Sequence, residues 1–177
     1  DLVTDARLID IVADGFDAGF RLAEAVPQDM VSVRLGPDVR LLVVCSPDYL
    51  ARQNAVPQTP HDLLSHACIR YRFTSGKLYR WEFERDGKSV VLDVGGPLTL
   101  DSPLLMAEAA LHGVGIAYVY EGYVREHLQN GRLVQLLPDW TPVYDGLCLY
   151  YPRQRHITAA LRAFIDLAKE ARGAFAV

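Results

Sequence analysis

The sequence predicts an α/β fold, and three observations carry that prediction: strand-like runs alternate with helical ones, hydroxyl–proline pairs open three helices, and one crossover unit is unusually clear. In that unit the alternating Leu98-Thr99-Leu100 stops at Asp101-Ser102-Pro103, and an apolar helix follows. Gly113 and Gly115 break the helix, and a second apolar run climbs to an aromatic loop ending at Glu121. Strand, capped helix, glycine break and strand make a parallel crossover, so a parallel-dominated sheet is expected. The 177 residues suffice for one domain or two small ones, and half of them are hydrophobic, with 9 Tyr and 6 Phe to fill a core.

Taken in order, Ala6 to Asp14 places Leu8, Ile11 and Val12 on one helical face and closes at Gly15. Phe16 to Leu22, Val31 to Leu35 and Val39 to Cys45 read as strands. Ser46-Pro47, Thr59-Pro60 and Ser102-Pro103 each put a hydroxyl at the N-cap and a proline at the first helical position. The hydroxyl accepts from an orphan amide, and the proline has no amide to orphan. Asp48 and Asp62 add negative charge to the first turn, where the helix dipole favours it. Ala67 to Phe73 is strand-like. Arg80 to Glu84 alternates cleanly, Asp86-Gly87 marks a tight turn, and Ser89 to Val94 returns, which is a hairpin. After the crossover unit, Gly122 to Gln129 forms an amphipathic helix closed by Asn130-Gly131. Leu133 to Leu137 and Leu147 to Tyr151 are short strands. Ile157 to Ala171 is a last helix with Leu161, Phe164, Ile165 and Ala168 as its apolar stripe. A hairpin segment carrying its own crossover units points to a second lobe set inside the first.

Charge and motifs exclude several classes. The net charge is 18 − 22 = −4, so the basic excess of a nucleic-acid-binding domain is missing. No apolar run approaches the roughly 20 residues that cross a membrane, and the start DLVTDARL does not read as a signal peptide. Cys45, Cys68 and Cys148 stand singly among apolar neighbours, as reduced buried thiols of a cytoplasmic protein do. Gly113-Val-Gly115 lacks the rest of a dinucleotide fingerprint, and the five histidines show no metal spacing. Ser46 and Ser102 serve as caps, with no GxSxG elbow around them. No catalytic residue, metal ligand or cofactor is expected.

The ordered series Asp10-Ile-Val-Ala-Asp-Gly-Phe-Asp-Ala-Gly-Phe-Arg21, Val44-Cys-Ser-Pro-Asp-Tyr-Leu50 and Thr59-Pro-His-Asp-Leu63 resembles the effector-binding domain of LysR-type transcriptional regulators. The resemblance continues through Trp81-Glu-Phe83, Gly113-Val-Gly-Ile-Ala117, Gly131-Arg-Leu-Val134, Leu136-Leu-Pro-Asp-Trp140 and Tyr151-Pro-Arg153. It implies two Rossmann-like lobes joined by two crossover strands, as in type 2 periplasmic binding proteins, with a small-molecule effector in the cleft between them. Lobe I is expected over residues 1–66 plus 151–177 and lobe II over 67–150. The family's winged helix-turn-helix and linker helix are absent, and the chain begins at what resembles the second strand of lobe I. DNA binding is therefore expected only of a parent protein, through its N-terminal part, and effector domains of the family pair as homodimers or tetramers. The rival readings are a free-standing solute-binding protein of the same fold and an α/β enzyme. The missing leader, the unpaired cysteines and the family motifs weigh against the first, and the lack of a nucleophile–base pair or metal set weighs against the second.

The candidate effector residues come partly from chemistry and partly from that resemblance. Asp101 and Ser102 stand where a strand ends and a helix begins, the place where open α/β sheets bind ligands. Ser102 as a mere cap and Asp101 as a turn residue remain the plain alternative. Arg21, at the end of an apolar strand, is either a fork for a carboxylate or a partner of Glu24 or Asp101. Arg72, Phe73, Thr74 and Ser75 resemble the loop that overhangs the cleft, and an ordinary surface loop is the other reading. Tyr120 and Glu121 stand on another wall of the cleft, where the family usually shows leucine or proline. Glu121 there would repel a carboxylate unless a cation sits beside it.

Overall fold

The computed structural model describes residues 1–3, 9–153 and 157–170. Its first elements are β1 (Gly19–Leu22), β2 (Met30–Arg34), β3 (Val39–Cys45), α1 (Pro47–Ala51), β4 (Cys68–Tyr71), β5 (Trp81–Arg85) and β6 (Lys88–Leu92). They continue with β7 (Leu98–Leu100), α2 (Pro103–Leu111), β8 (Ile116–Tyr120), α3 (Glu121–Gln129) and β9 (Val134–Leu136). The last are β10 (Val143–Tyr144), β11 (Leu147–Pro152) and α4 (Ala159–Glu170). Backbone proximity divides the chain into two units, Asp1–Val39 with Val143–Val177, and Arg40–Pro142.

In the first unit β11 lies between β1 and β2 and runs antiparallel to both. The apolar stripe of α4 covers this sheet: Leu161, Ile165 and Ala168 pack with Leu35, Leu149, Val33 and Tyr151. Phe164, the fourth residue of the expected stripe, is 45% exposed and meets only the rim of the sheet, edge-on to Phe20 at 6.2 Å. Of the first expected helix, Ala6 to Leu8 lies outside the described residues. The remainder is a single turn, in which the Asp10 carboxylate accepts from the amides of Val12 and Ala13, and Gly15 closes it at φ 79°.

In the second unit β3, β8, β4 and β7 lie in that order in one sheet, and β9 also pairs with β3. β4 is parallel to β7 and β8, while β3 is antiparallel to β8 and β9. β4, β7, β8 and β9 thus point one way and β3 runs against them. The expectation of a parallel-dominated sheet describes this unit but not the first, whose pairings among the described residues are antiparallel. The cause is shared. In each unit the reversed strand, β3 or β11, comes soon after the chain enters and inserts between strands that run together. Because β3 pairs with β8 and β9, residues 40–66 fall in the second unit. The chain returns to the first unit after Pro142.

Both faces of this sheet are covered. Val43, Cys45, Cys68, Ile116 and Tyr118 face a core closed by the β5–β6 hairpin through Trp81, Phe83 and Leu92. Leu42, Val44, Ile69, Ala117 and Val119 face a core closed by α2 and α3 through Met106, Ala107, Ala110 and Val124. Burial on two faces is why these strands read as unbroken apolar runs. The hairpin has one dry face, and its Trp81 and Phe83 alternate with the exposed Glu82 and Glu84.

Two glycines set the joint between α2 and β8. Gly113, at φ 70°, ends the helix as its amide bonds to the Ala110 carbonyl, a position where a side chain would be strained. At Gly115 a Cβ would fall 2.3 Å from the Ala67 carbonyl oxygen, so only glycine lets β8 approach the start of β4 this closely.

Candidate functional site

Parallel strands joined by crossovers bring their carboxyl ends to one edge. β4 and β7 are in register at Tyr71 and Leu100, and β8 reaches the same edge at Tyr120. Arg72, Asp101 and Glu121 follow these strands directly. The structure thereby gathers Arg72, Phe73, Thr74, Ser75, Asp101, Ser102, Tyr120 and Glu121 along one edge of the second unit.

The turn after β4 is closed by its own backbone. The Phe73 amide donates to the Lys77 carbonyl and the Gly76 amide to the Phe73 carbonyl, with Gly76 at φ 85°. Thr74 and Ser75 are left exposed at the tip. The Arg72 amide bonds to the Leu100 carbonyl at 2.8 Å, which ties the turn to the end of β7. Phe73 stands edge-on to Tyr71 at 5.2 Å and to Tyr79 at 5.8 Å, so its ring is held rather than free.

At the head of α2 the Ser102 hydroxyl accepts from the Leu105 amide at 3.4 Å, the capping role the sequence allowed. Asp101 is exposed beside it. The Tyr71 phenol is pushed above its ordinary pKa by burial, with the Asp101 carboxylate and Tyr123 adding to the effect. Asp101 and Tyr123 thus each act on the Tyr71 phenol.

Glu121 has the cations that the sequence could not place. Its Oε2 receives both Nε and Nη2 of Arg40 at 3.0 Å, and Arg125 approaches Oε1 at 3.8 Å. With its charge shared between two guanidinium groups, Glu121 does not close this edge to an anionic ligand. Arg40 escaped the sequence reading because it opens an apolar run, and only the antiparallel register of Leu41 with Tyr120 sets it against Glu121. Tyr123, 46% exposed and 6.4 Å from the Tyr120 ring, was also missed, since α3 was expected to start one residue after its observed first residue.

Arg21 stands in the first unit. Its guanidinium donates to the Ile9 carbonyl and lies 4.9 Å over the Tyr150 ring, with no ion pair to Glu24 among the described residues. Gly19 makes room for that ring, because a Cβ there would meet it at 2.7 Å. Both contacts are made within the first unit, away from the strand edge that gathers the other candidates.

A cavity of about 220 Å³ opens elsewhere in the second unit, with Gln58, Arg85, Gln135, Leu137 and Trp140 in its wall, and none of the candidate residues lines it. The groups of the strand edge, unlike those of this cavity, converge by strand topology. Among the described residues no group of three or more His, Cys, Asp or Glu side chains could hold a metal ion, and no helix is long and apolar enough to cross a membrane.

Residues 1–173 match the family described as the LysR substrate binding domain. The chain is 43% identical to the HTH-type transcriptional regulator YcaN of Escherichia coli K12, over 96% of this chain and 55% of that protein. It is 38% identical to the HTH-type transcriptional regulator PgrR of the same organism, over 95% of this chain and 56% of that one. The chain spans about half the length of the curated relatives it matches. Among solved structures, the regulatory domain of the AphB variant C227S from Vibrio vulnificus superposes with a TM-score of 0.80 at 23% identity, over 97% of this chain and 83% of that one. That likeness shows a shared fold.

Proposed function

The chain belongs to the LysR substrate-binding domain family, and from that premise we propose that it is the ligand-sensing domain of a longer transcriptional regulator. A small-molecule effector binds at the carboxyl edge of the second unit, the wall that the resemblance assigns to the interlobe cleft, and the two units are the two lobes. The observation that carries this reading is the convergence of the ends of β4, β7 and β8. They place hydroxyls, a guanidinium, a carboxylate and aromatic rings together without the nucleophile–base pair that turnover needs.

Sensing needs no chemistry at the ligand. An effector that prefers one arrangement of the domain shifts the population toward it by no more than its differential affinity. In the parent protein, DNA is held by an N-terminal winged helix-turn-helix, and the effector domains associate as a homodimer or tetramer in the cytoplasm. The HTH-type names of relatives about twice as long support this placement.

The test is a thermal-shift panel of small carboxylates, aromatic acids and amino acids on the 177-residue chain. At least one compound is expected to raise Tm with saturation, to be recovered unchanged, and to lose its effect in a Thr74→Val variant. A panel with no saturable shift, or a compound consumed by the chain, would contradict the reading.

A further inference from the structure

The cavity of about 220 Å³ beside β9 lies wholly within the second unit and takes no part in the strand edge. Two segments far apart in sequence build it, Val56 to Gln58 and Gln135 to Trp140, with Arg85 added from the end of β5. Leu137 sits in the left-handed region, at φ 53° and ψ 46°, which leucine rarely adopts. The 3-10 turn that follows it, Pro138–Trp140, puts Asp139 and Trp140 in the wall. Strained backbone of this kind collects at ligand sites. The Trp140 indole N–H is shielded from water and has no acceptor in the domain, a costly state for a donor.

Charge, polarity and size select the occupant. Arg85 brings a positive charge and Asp139 a negative one, and Asp86 lies 3.6 Å from the Arg85 Nε. The wall therefore favours neither an anion nor a cation. Gln58 and Gln135 spend an amide nitrogen on the Val56 carbonyl and the Thr141 hydroxyl, which leaves their amide oxygens to accept. Donors and acceptors thus stand together around the apolar Pro57 and Leu137. Hydroxyl groups, each both donor and acceptor, match such a mixture. The volume is below the roughly 300 Å³ at which pockets for drug-sized ligands begin, so a single small ring fits.

We propose that this cavity is a binding site for a neutral monosaccharide. Asp139 and the glutamine oxygens accept from its hydroxyls, while Arg85 and the Trp140 indole donate to others. The C–H face of the ring lies against Pro57 and Leu137. The site stands apart from the effector reading and needs neither the strand edge nor DNA.

The chain has two tryptophans, so an isotope-labelled sample gives two indole N–H signals by NMR, assigned with a Trp140→Phe variant. D-glucose, D-galactose and D-mannose are the probes, and sorbitol, which has the hydroxyls without the ring, is the control. At least one sugar is expected to shift the Trp140 signal with saturation and to leave Trp81 in place, and sorbitol to give no saturable shift. Asp139→Ala and Arg85→Met, both at exposed positions, should each weaken that sugar by about tenfold, and Asp139→Asn should weaken it less. No saturable Trp140 shift with any of the three sugars would overturn the site, as would undiminished affinity in the folded Asp139 and Arg85 variants. Saturable shifts centred instead on Arg72 to Gly76 would give the sugar to the strand edge and equally overturn the cavity as its site.

Discussion

Cys45 and Cys68 show how far burial can reset a side chain. Each thiol is pushed up to about 12 by the apolar core around it, and the Tyr49 phenol beside them is raised chiefly for the same reason. A thiol whose pKa is higher folded than unfolded contributes its full stability below its ordinary value of 9.0. Between that value and about 12 the unfolded chain gives up its protons first, so the contribution falls as pH rises. Urea midpoints are therefore expected to decline from pH 9 toward 11, and a thiol reagent at pH 8 should label neither cysteine until the chain unfolds. Rapid labelling of either thiol in the folded chain would contradict this placement. The sequence revealed this much through apolar neighbours alone. It could not reveal the partners of Glu121 or Arg21, because Arg40 is 81 residues from Glu121 and Arg21 spends its charge on a ring and a carbonyl.

At the scale of elements, caps and turns were legible because their chemistry is local. The Ser46 and Ser102 hydroxyls each accept from the amide three residues on, and the Asp62 carboxylate accepts from the amides of Gln58 and Thr59 ahead of its own short helix. The Asp86-Gly87 hairpin turn is likewise in place. Pairing partners were not legible, since register depends on which strand lies alongside. The 3-10 turn at Pro138–Trp140 was missed too, because it follows Leu137 in the left-handed region at φ 53°, where leucine gives no signal. Ser102→Ala tests an element with two proposed roles. The cap bond is long, so its loss should cost about 0.5 kcal/mol in a urea titration. Affinity for any compound found by thermal shift should fall as well. If stability drops while affinity holds, Ser102 is a cap and nothing more.

For the whole molecule, the sequence pattern gave the fold class, while its division into units depended on the two reversed strands. Val39 to Cys45 and Leu147 to Tyr151 look like other apolar strands, and only their pairing shows that each is reversed against its neighbours. The proposed sensing site is the edge where β4, β7 and β8 end. Amide chemical-shift mapping by NMR tests it most directly, with the wild-type chain titrated with the compound that raises Tm most. The claim predicts saturable shifts concentrated in Arg72 to Gly76, Asp101 to Leu105 and Tyr120 to Tyr123. Shifts confined to the separate cavity around Gln58, Arg85 and Trp140 would contradict it.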